Sequence, residues 1–132
     1  MSRRRFSRVL VFTESVQFGM SSIDGIRRTD RLCADLWKTI QRGPEYAGKT
    51  TLFILPDFGR DSDDDAGGNG FQLHRTGDAL SRTAWMMALS SGVREGVIFH
   101  RPLESTDLVP TLGSMLGFSP ALAPGKPIPE LL

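Results

Sequence analysis

Thr50-Thr51-Leu52-Phe53-Ile54-Leu55-Pro56-Asp57-Phe58-Gly59 is the stretch on which the fold reading turns. Its first six residues carry no charge and favour the pleated state, and its apolar residues run continuously instead of alternating. A continuous run predicts a strand covered on both faces, as in a parallel sheet with helices on either side. Pro56 and Gly59 end the run. Asp57 therefore stands just past the carboxyl end of the strand, where open α/β sheets place their ligands.

Upstream, the pattern over residues 21–41 is helical. Ile23, Ile26, Cys33, Trp37 and Ile40 recur at helical spacing, and Leu32 and Leu36 widen the stripe. Arg27, Arg28, Arg31, Asp35 and Lys38 fall mostly outside it, and Gly43-Pro44 stops it. Still earlier, Arg8-Val9-Leu10-Val11-Phe12 reads as a short buried strand. Strand, helix and strand form a βαβ unit. The expected fold is thus α/β, a mostly parallel sheet flanked by helices, with residues 1–132 forming a single, partial domain.

Downstream, residues 60–82 read as a long polar loop holding Asp61, Asp63, Asp64, Asp65, a Gly67-Gly68-Asn69-Gly70 run and His74. A loop of that length without its own structure is usually functional or mobile. Trp85-Met86-Met87-Ala88-Leu89 and Val97-Ile98-Phe99 are expected strands. Ser105-Thr106-Asp107 offers capping groups ahead of Leu108, Leu112, Met115 and Leu116, with Pro110 in the first turn and Gly117 as C-cap. Pro120, Pro124, Pro127 and Pro129 make the tail an extended segment.

Composition narrows the function classes. Hydrophobic residues make up 39% and charged residues 23% of 132 residues, which is ordinary for a globular chain. The net charge of +1 gives the whole chain no electrostatic reason to seek nucleic acid. No apolar run is long enough to cross a membrane. Residues 1–50 sum to +5 and residues 51–132 to −4, a polarity that suits the halves to face each other. Cys33, the only cysteine, permits no internal disulfide and reads as a buried, inert thiol. Ser2-Arg3-Arg4-Arg5-Phe6-Ser7-Arg8 resembles a twin-arginine export address. The apolar segment after it is too short for a signal, so a cytoplasmic location is expected, with export as the alternative.

Chemistry centres on Asp57 and His74. A carboxylate at a strand's carboxyl end can hold a metal or orient a substrate group, and it can equally cap nearby N–H groups. His74 lies in a glycine-rich loop able to fold back toward Asp57, and neutral imidazole is a common metal ligand. A solvated loop histidine is the plain alternative, and more so for His100. The acidic run from Asp61 alternates like a calcium loop but has Ala66 and Gln72 where that pattern needs Gly and Glu, so it reads as a solvated loop. No Gly-x-Ser-x-Gly elbow and no phosphate-binding glycine loop is present.

Three segments, in order and at matching spacing, resemble the alkaline phosphatase/sulfatase superfamily, and specifically its C-terminal portion. Gly25-Ile26-Arg27-Arg28-Thr29-Asp30-Arg31-Leu32-Cys33-Ala34-Asp35-Leu36-Trp37 is similar to the helix before the metal-bearing strand. The residue 50–59 stretch is similar to that strand and its Asp-His-Gly turn. Ser105-Thr106-Asp107-Leu108-Val109-Pro110-Thr111-Leu112, continuing to Leu116-Gly117, is similar to the C-terminal Asp-Leu-x-Pro-Thr helix. The likeness covers roughly residues 20–128, and Phe58-Gly59-Arg60 resembles a sulfatase-like branch.

The resemblance implies metal ligation by Asp57 and His74, with Phe58 where a second ligand of the turn would stand. It also implies that Glu14 and Gln17 occupy places of an upstream Asp and His, leaving Glu14 as a third metal candidate. The nucleophile and a further metal-binding Asp belong to an amino-terminal half that nothing before residue 8 supplies. A catalytic zinc takes three protein ligands, so Asp57, His74 and Glu14 cannot fill a two-metal site and also provide a nucleophile. The expectation is a truncated or degenerate relative of metal-dependent phosphate or sulfate ester hydrolases, feeble or inactive alone. It would bind zinc, calcium or manganese weakly. The alternative is a non-catalytic binding or self-assembly module, forming homo-oligomers or joining a chain that supplies the missing half.

Overall fold

The computed structural model describes residues 22–64 and 67–132. Helix α1 spans Ser22–Arg42, strand β1 Leu52–Ile54, strand β2 Met87–Leu89 and helix α2 Leu108–Leu116. Single 3-10 turns lie at Gly70–Gln72, Ser105–Asp107 and Pro129–Leu131. The chain divides into two compact units. One is Leu52–Leu89, and the other runs up to Thr51 and resumes over Ser90–Leu132.

Helix α1 forms where the apolar stripe predicts it, with Asp24 in the first turn and Arg42 in the last, each charge opposing the helix dipole at its own end. The pairs Arg27–Asp24 at 4.0 Å and Lys38–Asp35 at 3.9 Å sit in water and add little. Tyr46 and Ala47 N–H groups both donate to the Gly43 carbonyl at 2.9 Å, turning the chain out of the helix. Burial along the stripe is uneven. Cys33, Leu36, Trp37 and Ile40 are half-buried, whereas Ile23, Ile26 and Leu32 are exposed. Cys33 is therefore a partly accessible free thiol and not the buried one expected.

Helix α2 organises the carboxyl end of its unit. Thr111 is fully buried, donates its hydroxyl to the Asp107 carbonyl at 2.6 Å and accepts from the Ile128 N–H at 2.9 Å. The Asp107 carboxylate accepts from the N–H groups of Lys126 at 2.9 Å and Glu104 at 3.1 Å. Those two bonds hold its pKa below the usual range. Arg101 grips Glu130 with two parallel bonds of 2.6 and 2.5 Å. Gly117, at φ 82°, ends α2 in the left-handed conformation that glycine adopts without strain. Ile128, 4% exposed, is the one large apolar side chain buried among the described residues. The proline-rich tail forms no α-helix, but it is not the extended surface segment expected: it closes in the Pro129–Leu131 turn, buries Ile128 and is tied down by polar bonds at Lys126 and Ile128.

The expected mostly parallel sheet is corrected. Among the described residues the sheet has two strands, and β1 pairs antiparallel with β2 in the register Leu52↔Leu89, Phe53↔Ala88, Ile54↔Met87. A parallel return needs a crossover, usually a helix. Between β1 and β2 the one helical element among the described residues is the Gly70–Gln72 turn, so the chain doubles back beside itself. The continuous apolar run misled because β1 is three residues long and its side chains are half-buried, not covered on both faces. Val97, Ile98 and Phe99 form no strand and are exposed, Ile98 to 79%. The strand expected at residues 8–12 lies outside the described residues. Among the described residues no helix is long and apolar enough to cross a membrane.

Replacing Thr111 by Val keeps the shape but leaves the buried Ile128 N–H without an acceptor. Thr111→Val should cost about 1–3 kcal/mol, the desolvation cost of one unpaired buried donor. Urea unfolding should show that loss, and Thr111→Ser, which keeps the hydroxyl, should recover most of it.

Candidate functional site

The unit Leu52–Leu89 contains the residues that sequence reasoning singled out. β1 ends at Ile54, and Pro56 directs the chain into a bend at Asp57. The exposed Asp57 accepts the Phe58 N–H through Oδ1 at 3.0 Å, which is the local capping role weighed for it. The Phe58 ring stacks on His74 with centroids 4.4 Å apart and planes at 8°. The Arg60 guanidinium lies 5.5 Å from the centre of the Phe58 ring. The loop therefore returns His74 to the residue that follows Asp57. Phe58 holds His74 by its ring face, as no metal ligand at that position would.

Glycine at position 59 has a steric cause. A Cβ there would fall 2.0 Å from the Leu80 carbonyl oxygen and 2.3 Å from that of Thr83. The Gly59 N–H donates to the Ser81 carbonyl at 2.8 Å. Close backbone approach alone accounts for the glycine, with no ion required.

The loop expected to be solvated is instead fastened from inside. Asp61 is buried, with its carboxylate bonded to the Ser81 hydroxyl, the Arg75 side chain and the Arg75 N–H, the last at 2.6 Å. Burial pushes its pKa up, but the Ser81 and Arg75 bonds outweigh it and hold the carboxyl below its usual range. Asp78, also buried, accepts the N–H and hydroxyl of Ser62, both at 2.9 Å, and the N–H groups of Leu80 and Ser81. The Ser62 N–H leads the causes that lower its pKa to about 2. Asp63 Oδ1 accepts the Gly70 N–H at 3.0 Å. Asp64 is exposed, and Asp65 lies outside the described residues.

Sequence reasoning missed Asp78 and Ser81 as anchors. The signal was local: an aspartate two and three residues before the N–H groups it caps is a common turn device. The match between Asp61 and Arg75 carried no such signal, because the two stand fourteen positions apart in the chain.

Of the three metal candidates, His74 lies against Phe58, the neighbour of Asp57, and Glu14 lies outside the described residues. Among the described residues no three His, Cys, Asp or Glu side chains gather as ligands. Asp57 and His74 together offer two donors, one carboxylate oxygen already engaged, and a catalytic zinc takes three protein ligands. The described residues do not fit a two-metal hydrolase centre. His100 is exposed, in the segment that forms no strand.

Compared with protein families, characterised proteins and solved structures, the chain matches none. The likeness to the alkaline phosphatase/sulfatase superfamily rests on the residues quoted above.

Two tests bear on this unit. The carboxyls of Asp61 and Asp78 ionise more readily folded than unfolded, so their stabilisation is full above pH ~4, where an unperturbed aspartate is charged. It is lost as pH falls toward the folded values, about 2 for Asp78. Protection of the Ser62, Arg75 and Leu80 amides, taken relative to their intrinsic exchange rates, should fall between about pH 4 and 2, and Asp78→Asn should lower protection at Ser62 and Leu80 already at pH 7. Gly59→Ala, which forces a side chain against backbone, should destabilise the unit by at least ~1–3 kcal/mol in urea unfolding.

Proposed function

We propose that this chain serves as a non-catalytic binding or self-assembly module. The supporting observation is apolar surface left in water. Trp85 is 59% and Leu122 97% exposed, Ile23, Ile26 and Ile98 are also exposed, and Ile128 is the only large apolar residue buried among the described residues. Apolar side chains left in water are area that a partner surface can cover. Among the described residues polar bonds do more of the holding than buried apolar side chains, so a partner surface would supply burial that those residues do not.

A second reading follows the resemblance: a truncated or degenerate relative of phosphate or sulfate ester hydrolases, feeble or inactive alone. The stacking of His74 on Phe58, the residue after Asp57, favours it. In that reading a zinc, manganese or calcium ion would be held weakly by Asp57 and His74, with a small phosphate or sulfate ester as the ligand class.

Size-exclusion chromatography with light scattering should give a mass above the 14.5 kDa of one chain; a monomer at all concentrations argues against self-assembly. Zinc, manganese and calcium should leave aryl phosphate and aryl sulfate turnover undetectable. An ion at 100 times its Kd would add about 2.7 kcal/mol and raise Tm by several degrees. Such a shift, with turnover abolished in Asp57→Asn and His74→Gln, would replace the module reading with the hydrolase one.

A further inference from the structure

Asn69 is the only asparagine in the sequence, and Gly70 follows it. Packing demands that glycine. A Cβ at position 70 would fall 2.3 Å from the Asp61 carbonyl oxygen and 2.7 Å from the Ser62 carbonyl group. Glycine also has no side chain to crowd its own nitrogen. The residue that the turn needs is therefore the one that leaves the amide of Asn69 most open to attack from the backbone.

We propose that Asn69 is a self-modification site of this chain, held back while Asp63 and the Gly70–Gln72 turn fix the Gly70 nitrogen. In the reaction that nitrogen bonds to Asn69 Cγ, the Cγ–Nδ2 bond breaks, and ammonia leaves with the proton that Gly70 gave up. Water then opens the resulting imide ring at either carbonyl, giving aspartate or isoaspartate. Water enters, ammonia departs, and nothing is oxidised or reduced.

The fold opposes the first step. Asn69 has φ −111° and ψ 18°, which turns the Gly70 nitrogen to the side of the backbone away from the Asn69 Cβ. Its N–H donates to Asp63 Oδ1 at 3.0 Å. With the nitrogen facing away from Cγ, that carboxylate restrains the nucleophile and does not serve as its base. The Asn69 carbonyl accepts the Gln72 N–H at 2.9 Å, and the Gly70 carbonyl accepts that of Leu73 at 3.0 Å, so both sides of the peptide are pinned. Gly70 is buried, whereas Asn69 is exposed and its side chain makes no capping bond. Ring closure requires ψ to swing through more than a right angle, which breaks the bond to Asp63 and lifts Gly70 away from Asp61 and Ser62. The rate then follows the population of that local opening.

Both products work against the turn. Aspartate adds a charge near the exposed Asp63, and isoaspartate adds a carbon to the backbone at the carbonyl that Gln72 uses. The change is one-way, so it records the time that the turn has spent open.

The test incubates the full chain in mildly alkaline buffer, with and without urea, and follows conversion of amide to acid in the tryptic peptide 61–75 by mass. Conversion should be at least about tenfold slower folded than in urea. The slowing should be no smaller than the protection of the Gly70 amide against hydrogen exchange, because ring closure needs that same N–H released. Asp63→Ala should speed conversion in buffer by about threefold to tenfold, the worth of a bond to a charged acceptor. Asp63→Asn, which keeps the acceptor oxygen, should recover most of the slowing. Retained protection at Ser62 and Leu80 shows that the variants still fold. No conversion in urea overturns the site. Conversion as fast in buffer as in urea, or slowed less than Gly70 exchange, overturns its control by the turn, and Asp63→Ala as slow as wild type overturns the part given to Asp63.

Discussion

A buried carboxylate is stable only while donors surround it, and Asp61 is such a group. Its oxygens take the Ser81 hydroxyl, the Arg75 side chain and the Arg75 N–H at once, across fourteen to twenty residues of chain. Loss of any one donor would leave part of a charge unpaired away from water, which costs more than the bond itself contributes. The loop between β1 and β2 is therefore shaped by where Asp61 can find donors. Asp78 works beside it on Ser62. Together they bring Gly59 against residues 80–83 and set the turn on which Asp57 and Phe58 stand.

The other unit is held in a similar way. Thr111, fully buried, receives the Ile128 N–H, while Asp107 receives that of Lys126. Arg101 and Glu130 close the same tail from outside, and that pairing draws the Glu130 carboxyl down to about 2. With so little apolar burial among the described residues, these rely on directional bonds whose donors and acceptors are specific residues. Directional bonds fix shape well but leave the apolar side chains of α1, Trp85 and Leu122 in contact with water. The functional reading follows from that imbalance.

Legibility in the sequence tracked the range of the interaction. Helix α1 and helix α2 appear where periodicity, Gly43-Pro44 and Gly117 place them, because those signals act within one or two turns. The strand at Leu52–Ile54 was legible, but its partner and direction were not. An apolar run cannot distinguish a buried parallel strand from a short antiparallel one. At the candidate site, the capping role of Asp57 was readable from neighbouring residues. The stack of His74 on Phe58 was not, since the two stand sixteen positions apart in the chain.

By itself, the sequence determined the two helices, their ends, the position of β1 and the acidic character of the loop that follows. Those features depend on side-chain spacing and on the backbone preferences of glycine and proline, which are local. Only the tertiary structure decided that β1 runs antiparallel to β2, that Asp61 and Asp78 turn inward instead of facing water, and that Cys33 stays partly accessible. Each of these depends on which distant donor or strand the chain meets when it folds back. No pattern along the chain encodes that meeting.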